Sequence, residues 1–196
     1  MSTDRETLAV YDKRAADYAA RFTGDRNLDL ETFIAALPTG AQVLDLGCGP
    51  GHAAAQMAHA GHSVEATDAS AEMVKLAQAH PGVTARLASF DDITGTDLYD
   101  GIWANFALLH APRSAMPGHL AALRRALRSG GLFHIGMKTG TGEKRDEIGR
   151  LYTYYTEDEL AGLLRAAGFT PFSSRTGAEP GLDGVVAPWV TIAAHG

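Results

Sequence analysis

Val43-Leu44-Asp45-Leu46-Gly47-Cys48-Gly49-Pro50-Gly51-His52 sets a short apolar run directly against three glycines. Ala41–Leu46 reads as a buried strand, because a brief β-competent run closed by turn residues fits a sheet interior. Glycines at 47, 49 and 51 remove the Cβ atoms that would hold a ligand away from a tight strand-to-helix turn. A helix expected over residues 53–60 and stopped by Gly61 would aim its unpaired N–H groups and positive dipole end at the same place. A nucleotide-like ligand with an anionic end suits both features.

Working outward, Ser63–Thr67 reads as a second strand and Asp68 closes it, about 20 positions past the first glycine. In nucleotide-binding α/β folds an acid there receives ribose hydroxyls. Ser70 N-caps the next helix, with Glu72 in its first turn and Pro81 beyond its end. Val83–Leu87, Tyr99–Ala104 and Leu132–Met137 read as further strands. Pro117–Arg128 reads as a helix stopped by Gly130. Thr156 and Glu159 form a capping box for a helix reaching Ala167 and closed by Gly168. Phe169–Arg175 and Ala187–Ala194 read as an antiparallel edge hairpin joined by Gly177–Gly184. Strands alternating with helices imply an α/β, doubly wound, mostly parallel sheet with helices on both faces. Ligands in such folds bind beyond the carboxyl ends of the strands.

Composition narrows the function. A chain of 196 residues suits one hydrophobic core, expected as a single domain with an N-terminal helical lid over 1–35 and a sheet domain over 41–196. Acids outnumber bases, 23 to 17, which argues against a nucleic-acid partner. Cys48 is the single cysteine, so neither an intramolecular disulfide nor a multi-cysteine metal site is available. Residues 1–22 lack the apolar run of a signal peptide, and no stretch nears the ~18 apolar residues of a membrane span. The expectation is a cytoplasmic monomer or homodimer without membrane contact.

Gly47, Gly49 and Gly51 with Asp45 before them and Asp68 after the second strand resemble the signature of class I S-adenosylmethionine-dependent methyltransferases. A dinucleotide fingerprint would want a small residue where His52 stands. An NAD-dependent dehydrogenase is therefore the competing enzyme, and a non-catalytic S-adenosylmethionine-binding protein the competing binding module. Tyr99–Asn105 and Leu127–Leu132 extend the resemblance to the fourth and fifth strands. It implies a Rossmann-like sheet of seven strands in the order 3-2-1-4-5-7-6, strand 7 antiparallel, with S-adenosyl-L-methionine as donor and S-adenosyl-L-homocysteine as product. Leu108-Leu109-His110 and the Lys138–Tyr155 stretch resemble a tellurite-resistance-like subgroup of small-molecule enzymes.

By the same resemblance, Gly47, Cys48 and Gly49 line the methionine portion of the cofactor and Asp68 binds the ribose. Ala69 and Met73 pack on the adenine, Ser89 and Phe90 sit at its edge, and Asn105 borders the cofactor. Many relatives carry an Asp at or beside position 89, whereas here Asp91 stands two residues on. Tyr11, Arg14 and Tyr18, three and four apart, would share one face of a lid helix, with Arg14 near the cofactor carboxylate; plain helix packing is the alternative. Phe106, Lys138, Arg150, Tyr152 and Tyr155 are the acceptor-side candidates. Aromatics there would enclose a cation, and Lys138 or Arg150 would hold a carboxylate, unless the stretch is a solvated loop. His110 is either a general base or a polar residue fixing its loop, and His134 reads as a core histidine. Asn105-Phe106-Ala107 lacks both the acid of metal-assisted members and the N/D-P-P-Y/F/W motif of amino methyltransferases. The expectation is metal-free transfer to a small-molecule acceptor.

Overall fold

Strand β1 (Gln42–Leu46) lies at the centre of the sheet because both of its faces are apolar. Leu44 and Leu46 point into one buried cluster and Val43 into the other, as the two-residue period of a strand requires. The computed structural model describes residues 4–20, 26–181 and 183–196. Around β1 run β2 (Ser63–Asp68), β3 (Val83–Leu87), β4 (Tyr99–Asn105) and β5 (Leu127–Lys138), all parallel, followed by β9 (Val186–His195), which runs against them, and by β8 (Thr170–Pro180) at the far edge, antiparallel to β9. The seven-stranded order is β3-β2-β1-β4-β5-β9-β8. This is the expected order once two short strands outside the main sheet, β6 (Glu143–Arg145) and β7 (Leu151–Thr153), are passed over.

Helices α3 (His52–His59), α4 (Ala71–Gln78), α5 (Met116–Ala126) and α6 (Glu157–Ala166) alternate with these strands. Ser70 and Thr156 cap α4 and α6 by accepting from Met73 N and Glu159 N. Of the two N-terminal helices, α1 (Arg5–Ala19) lies over the strand ends, whereas α2 (Leu28–Ala36) belongs to the core. Phe33 of α2 meets Trp103 of β4 edge to face at 5.2 Å, in space that the missing Cβ of Gly101 leaves open. Of the lid expected over 1–35, residues 1–3 and 21–25 lie outside the described residues.

Three sequence expectations differ from the structure. Helix α5 ends at Ala126 rather than Arg128, because fully buried Leu127 turns extended and pairs with Tyr99. Gly130 (φ +73°) accordingly bends the start of β5 instead of stopping the helix. The edge hairpin runs farther than expected, to Pro180 and back from Val186, since Gly177 lets the Trp189 indole lie flat across β8. The stretch expected as a loop before Thr156 carries the β6–β7 hairpin, whose strands of three residues are too short to show a period. Among the described residues no helix is long and apolar enough to cross a membrane.

Candidate active site

The carboxyl ends of β1, β2 and β4 open into a cleft roofed by α1. Its lining is drawn from all of these strand ends and from α1. Gly47 (φ +66°) and Gly49 line it, and an added Cβ at Gly47 would stand 2.4 Å from Ala107 Cβ. Gly51 serves a different purpose. It caps α3 in a left-handed conformation, and a Cβ there would meet the Ala77 backbone of α4 at 2.7 Å.

Asp68 ends β2 with both oxygens held. Oδ2 accepts from Gly49 N and Oδ1 from Ser70 N, each at 2.9 Å. Burial pushes this carboxyl up, while backbone N–H groups of Ser70, Gly49 and Ala69 pull it back toward the charged form. The glycine turn and the acid, 19 residues apart in sequence, are thereby one hydrogen-bonded unit. Ser70 extends it, since its hydroxyl donates to Asp12 Oδ1 of α1 at 2.6 Å and ties the roof to the rim.

Ala69, Met73, Ala88 and Phe90 form an apolar wall beyond Asp68. Opposite stand Asn105, Phe106, Ala107 and His110, which follow β4. Phe106 holds φ +54°, a strained conformation for a residue with a side chain, and its N–H donates to Gly136 O at 2.9 Å. Asn105 Oδ1 accepts from His134 Nε2 at 3.1 Å. His134 itself stacks on Trp103 at 3.7 Å and is a core residue, its imidazole pushed by burial down to about 3.

His110 has both nitrogens engaged. Nδ1–H donates to Leu151 O at 2.6 Å, so Nε2 is the acceptor for the Tyr11 hydroxyl at 2.7 Å. Tyr11 Oη in turn accepts from Arg150 Nη1 at 3.1 Å, and Asp146 holds Arg150 at 2.7 Å. Desolvation is the largest influence on His110 and lowers it to about 4, so the ring is neutral near pH 7. This chain of contacts joins α1 to the loop after β4 and to the β6–β7 hairpin.

Residues 43–131 match the family described as a methyltransferase domain. Over that segment the chain resembles class I methyltransferases. A curated relative, the malonyl-[acyl-carrier protein] O-methyltransferase of Pectobacterium atrosepticum, is 32% identical over 176 residues, covering 87% of this chain and 65% of that protein. The chain thus spans just under two thirds of the length of the curated relative it matches. Among solved structures, the Burkholderia thailandensis 1,6-didemethyltoxoflavin-N1-methyltransferase, bound to 1,6-didemethyltoxoflavin and S-adenosylhomocysteine, is 28% identical with a TM-score of 0.73. That match covers 100% of this chain and 91% of the other. A TehB-like methyltransferase of Corynebacterium glutamicum shares the fold, with a TM-score of 0.70, 21% identity and coverage of 97% and 98%.

The fold brings Tyr11, Tyr18, Gly47, Gly49, Asp68, Ala69, Met73, Phe90, Asn105, Phe106 and His110 to one cleft. It leaves seven expected site residues outside the lining. Cys48 packs into the core beside Ala54 and Met57, because alternation turns it away from its neighbouring glycines. Ser89 is bound into a local turn, donating to Asp92 Oδ2 at 2.7 Å. Arg14 faces outward beside Asp17, since α1 kinks at this residue (φ −113°, ψ 16°) and only Tyr11 and Tyr18, seven apart, keep one face. Arg150 is buried against Asp146, and Lys138 lies over the Tyr152 ring at 4.2 Å. Tyr152 and Tyr155 are core residues, the latter beneath the Arg113 guanidinium at 4.3 Å. All five substrate candidates of the sequence except Phe106 therefore build the support behind the cleft. Sequence reasoning missed Asp4, Thr7 and Leu8, which line the cleft from the first turn of α1. Their signal was present in Asp4, an N-cap that accepts from Thr7 N at 2.9 Å.

Proposed function

We propose that the chain transfers the methyl group of S-adenosylmethionine to a small-molecule acceptor, releasing S-adenosylhomocysteine. The observation that carries this reading is Asp68, a cleft-lining carboxyl held at the end of β2 by the backbone N–H groups of Gly49, Ser70 and Ala69, where ribose hydroxyls would be received. The fit is supported from three sides. Gly47 and Gly49 leave backbone open where a side chain would intrude, and Met73, Ala69 and Phe90 offer apolar surface for a purine. Buried Asp45 Oδ2, without a hydrogen-bond partner, adds a polar atom under the same turn. The donor supplies an electrophilic methyl on its sulfonium, so the hard chemistry lies with the cofactor.

What remains for the protein is alignment and exclusion of water. Tyr11 and Tyr18 close the cleft from α1, and Phe106 is held rigidly at its floor. His110 serves here as a fixed acceptor for the Tyr11 hydroxyl rather than as a free base. Leu108-Leu109-His110 and the Lys138–Tyr155 stretch support a place in the tellurite-resistance-like subgroup, a label that makes no statement about the acceptor. The relatives act on different groups, a malonyl carrier protein in one and a heteroaromatic nitrogen in the other, so neither acceptor transfers directly. Calorimetry should show S-adenosylhomocysteine binding in the micromolar range, with a matching rise in melting temperature. A saturating shift by NAD, with none from S-adenosylhomocysteine, refutes the assignment. Methyl release to any member of a panel of thiols, phenols, amines and ring nitrogens excludes a purely binding role.

A further inference from the structure

The charge of the cleft narrows the acceptor, an inference that rests on the methyltransferase reading. Helix α1 spans the cleft lengthwise. Asp12 is bonded to Ser70 beside Asp68, and Asp4, eight residues earlier, lies about 12 Å along the helix. The nucleoside end is therefore the Asp68 end, and the acceptor end lies under Asp4, Thr7 and Leu8, against Phe106 and His110.

Among the described residues, every charge at that second end is already matched. Asp4 is gripped by Arg145 at 2.7 Å and 2.9 Å and by the N–H and hydroxyl of Thr7. Arg145 also reaches Glu6 at 3.2 Å. Arg150 is spent on Asp146 and Tyr11, and Lys138 rests on the Tyr152 ring outside the lining. Among the described residues, the lining contains Asp4 and Asp68 but no lysine or arginine. His110 is neutral, and the dipole end of α1 is capped by Asp4 itself. A carboxylate or oxyanion entering there would lose its water beside Asp4 and gain no countercharge. Ring faces and edges of Tyr11 and Phe106 suit a flat apolar molecule instead.

We infer that the acceptor enters this end uncharged, as an aromatic or heteroaromatic ring whose hydroxyl or ring nitrogen bonds the methyl carbon as the carbon–sulfur bond breaks, leaving neutral S-adenosylhomocysteine and losing its proton to water at the cleft mouth, and not as a carboxylate or oxyanion. The test uses the full chain saturated with S-adenosylhomocysteine and measures binding of matched pairs by calorimetry. The pairs are 4-hydroxyquinoline against its 2-carboxylate, and lumazine against its 6-carboxylate. At least one neutral member should bind about tenfold more tightly than its carboxylate. A carboxylate binding as tightly as its neutral partner, or no binding by either neutral ring, overturns the inference while the cofactor assignment stands. Failure of S-adenosylhomocysteine itself to bind overturns the methyltransferase reading, and the inference with it. Asp4→Asn retains a capping oxygen but releases Arg145, and should improve carboxylate binding about tenfold with cofactor affinity level. An unchanged preference in that variant would overturn the charge accounting.

Discussion

Tyr11→Phe removes a single oxygen from the point where lid, loop and hairpin meet. That oxygen donates to His110 Nε2 at 2.7 Å and accepts from Arg150 Nη1 at 3.1 Å. Arg150 is only 2% exposed but keeps Asp146, whereas His110 lies in the cleft wall where water can replace the lost hydroxyl. The two losses therefore sit at the low end of the usual cost of an unmade buried bond, together about 2 kcal/mol, or roughly thirtyfold in the docking equilibrium of α1. Calorimetry with S-adenosylhomocysteine should show about that loss of affinity, and hydrogen exchange should quicken in α1 but not in β1 or β4. The pH dependence gives an independent reading. His110 is held down to about 4 in the folded protein against about 6.5 when unfolded, so its contribution is complete above pH 6.5 and fades as pH falls toward 4. Wild-type affinity should follow that course, and the variant should follow it less steeply. Unchanged affinity together with unchanged protection of α1 would refute the idea that this contact closes the lid.

Three further outcomes are expected. Asp68→Ala should weaken S-adenosylhomocysteine binding by about 1.5–3 kcal/mol by calorimetry while circular dichroism stays native; level affinity would remove the acid from the site. Gly47→Ala combines a left-handed backbone with a Cβ 2.4 Å from Ala107, and should cost about 2–4 kcal/mol in urea unfolding; a loss under about 0.5 kcal/mol would show that the turn yields freely. Asp45 is raised by burial to about 7, so ionising it destabilises the fold as pH climbs from 4 through 7. Asp45→Asn should therefore raise the melting temperature at pH 8 and change it little at pH 4, and equal shifts at both would contradict a buried, unwillingly charged carboxyl.

The sheet order and the glycine–acid pairing were legible in the sequence because each rests on neighbours in the chain. Strand periodicity, Ser70 and Thr156 caps, and glycines after β1 are local chemistry, and local chemistry acts before the fold is complete. Asp68 could be placed at the end of β2 for the same reason. What the sequence could not show is which way a side chain faces once distant segments meet. Arg14, Arg150 and Lys138 look in the sequence like cations awaiting an anionic ligand, yet a kink turns the first outward, Asp146 holds the second, and the Tyr152 ring carries the third. His110 looks like a base with an ordinary pKa, and only the packing of Tyr11 from 99 residues away and of the Leu151 carbonyl fixes its tautomer, while burial lowers it. Burial and pairing are properties of the assembled structure, because desolvation and Coulomb energy depend on distances that sequence separation does not set.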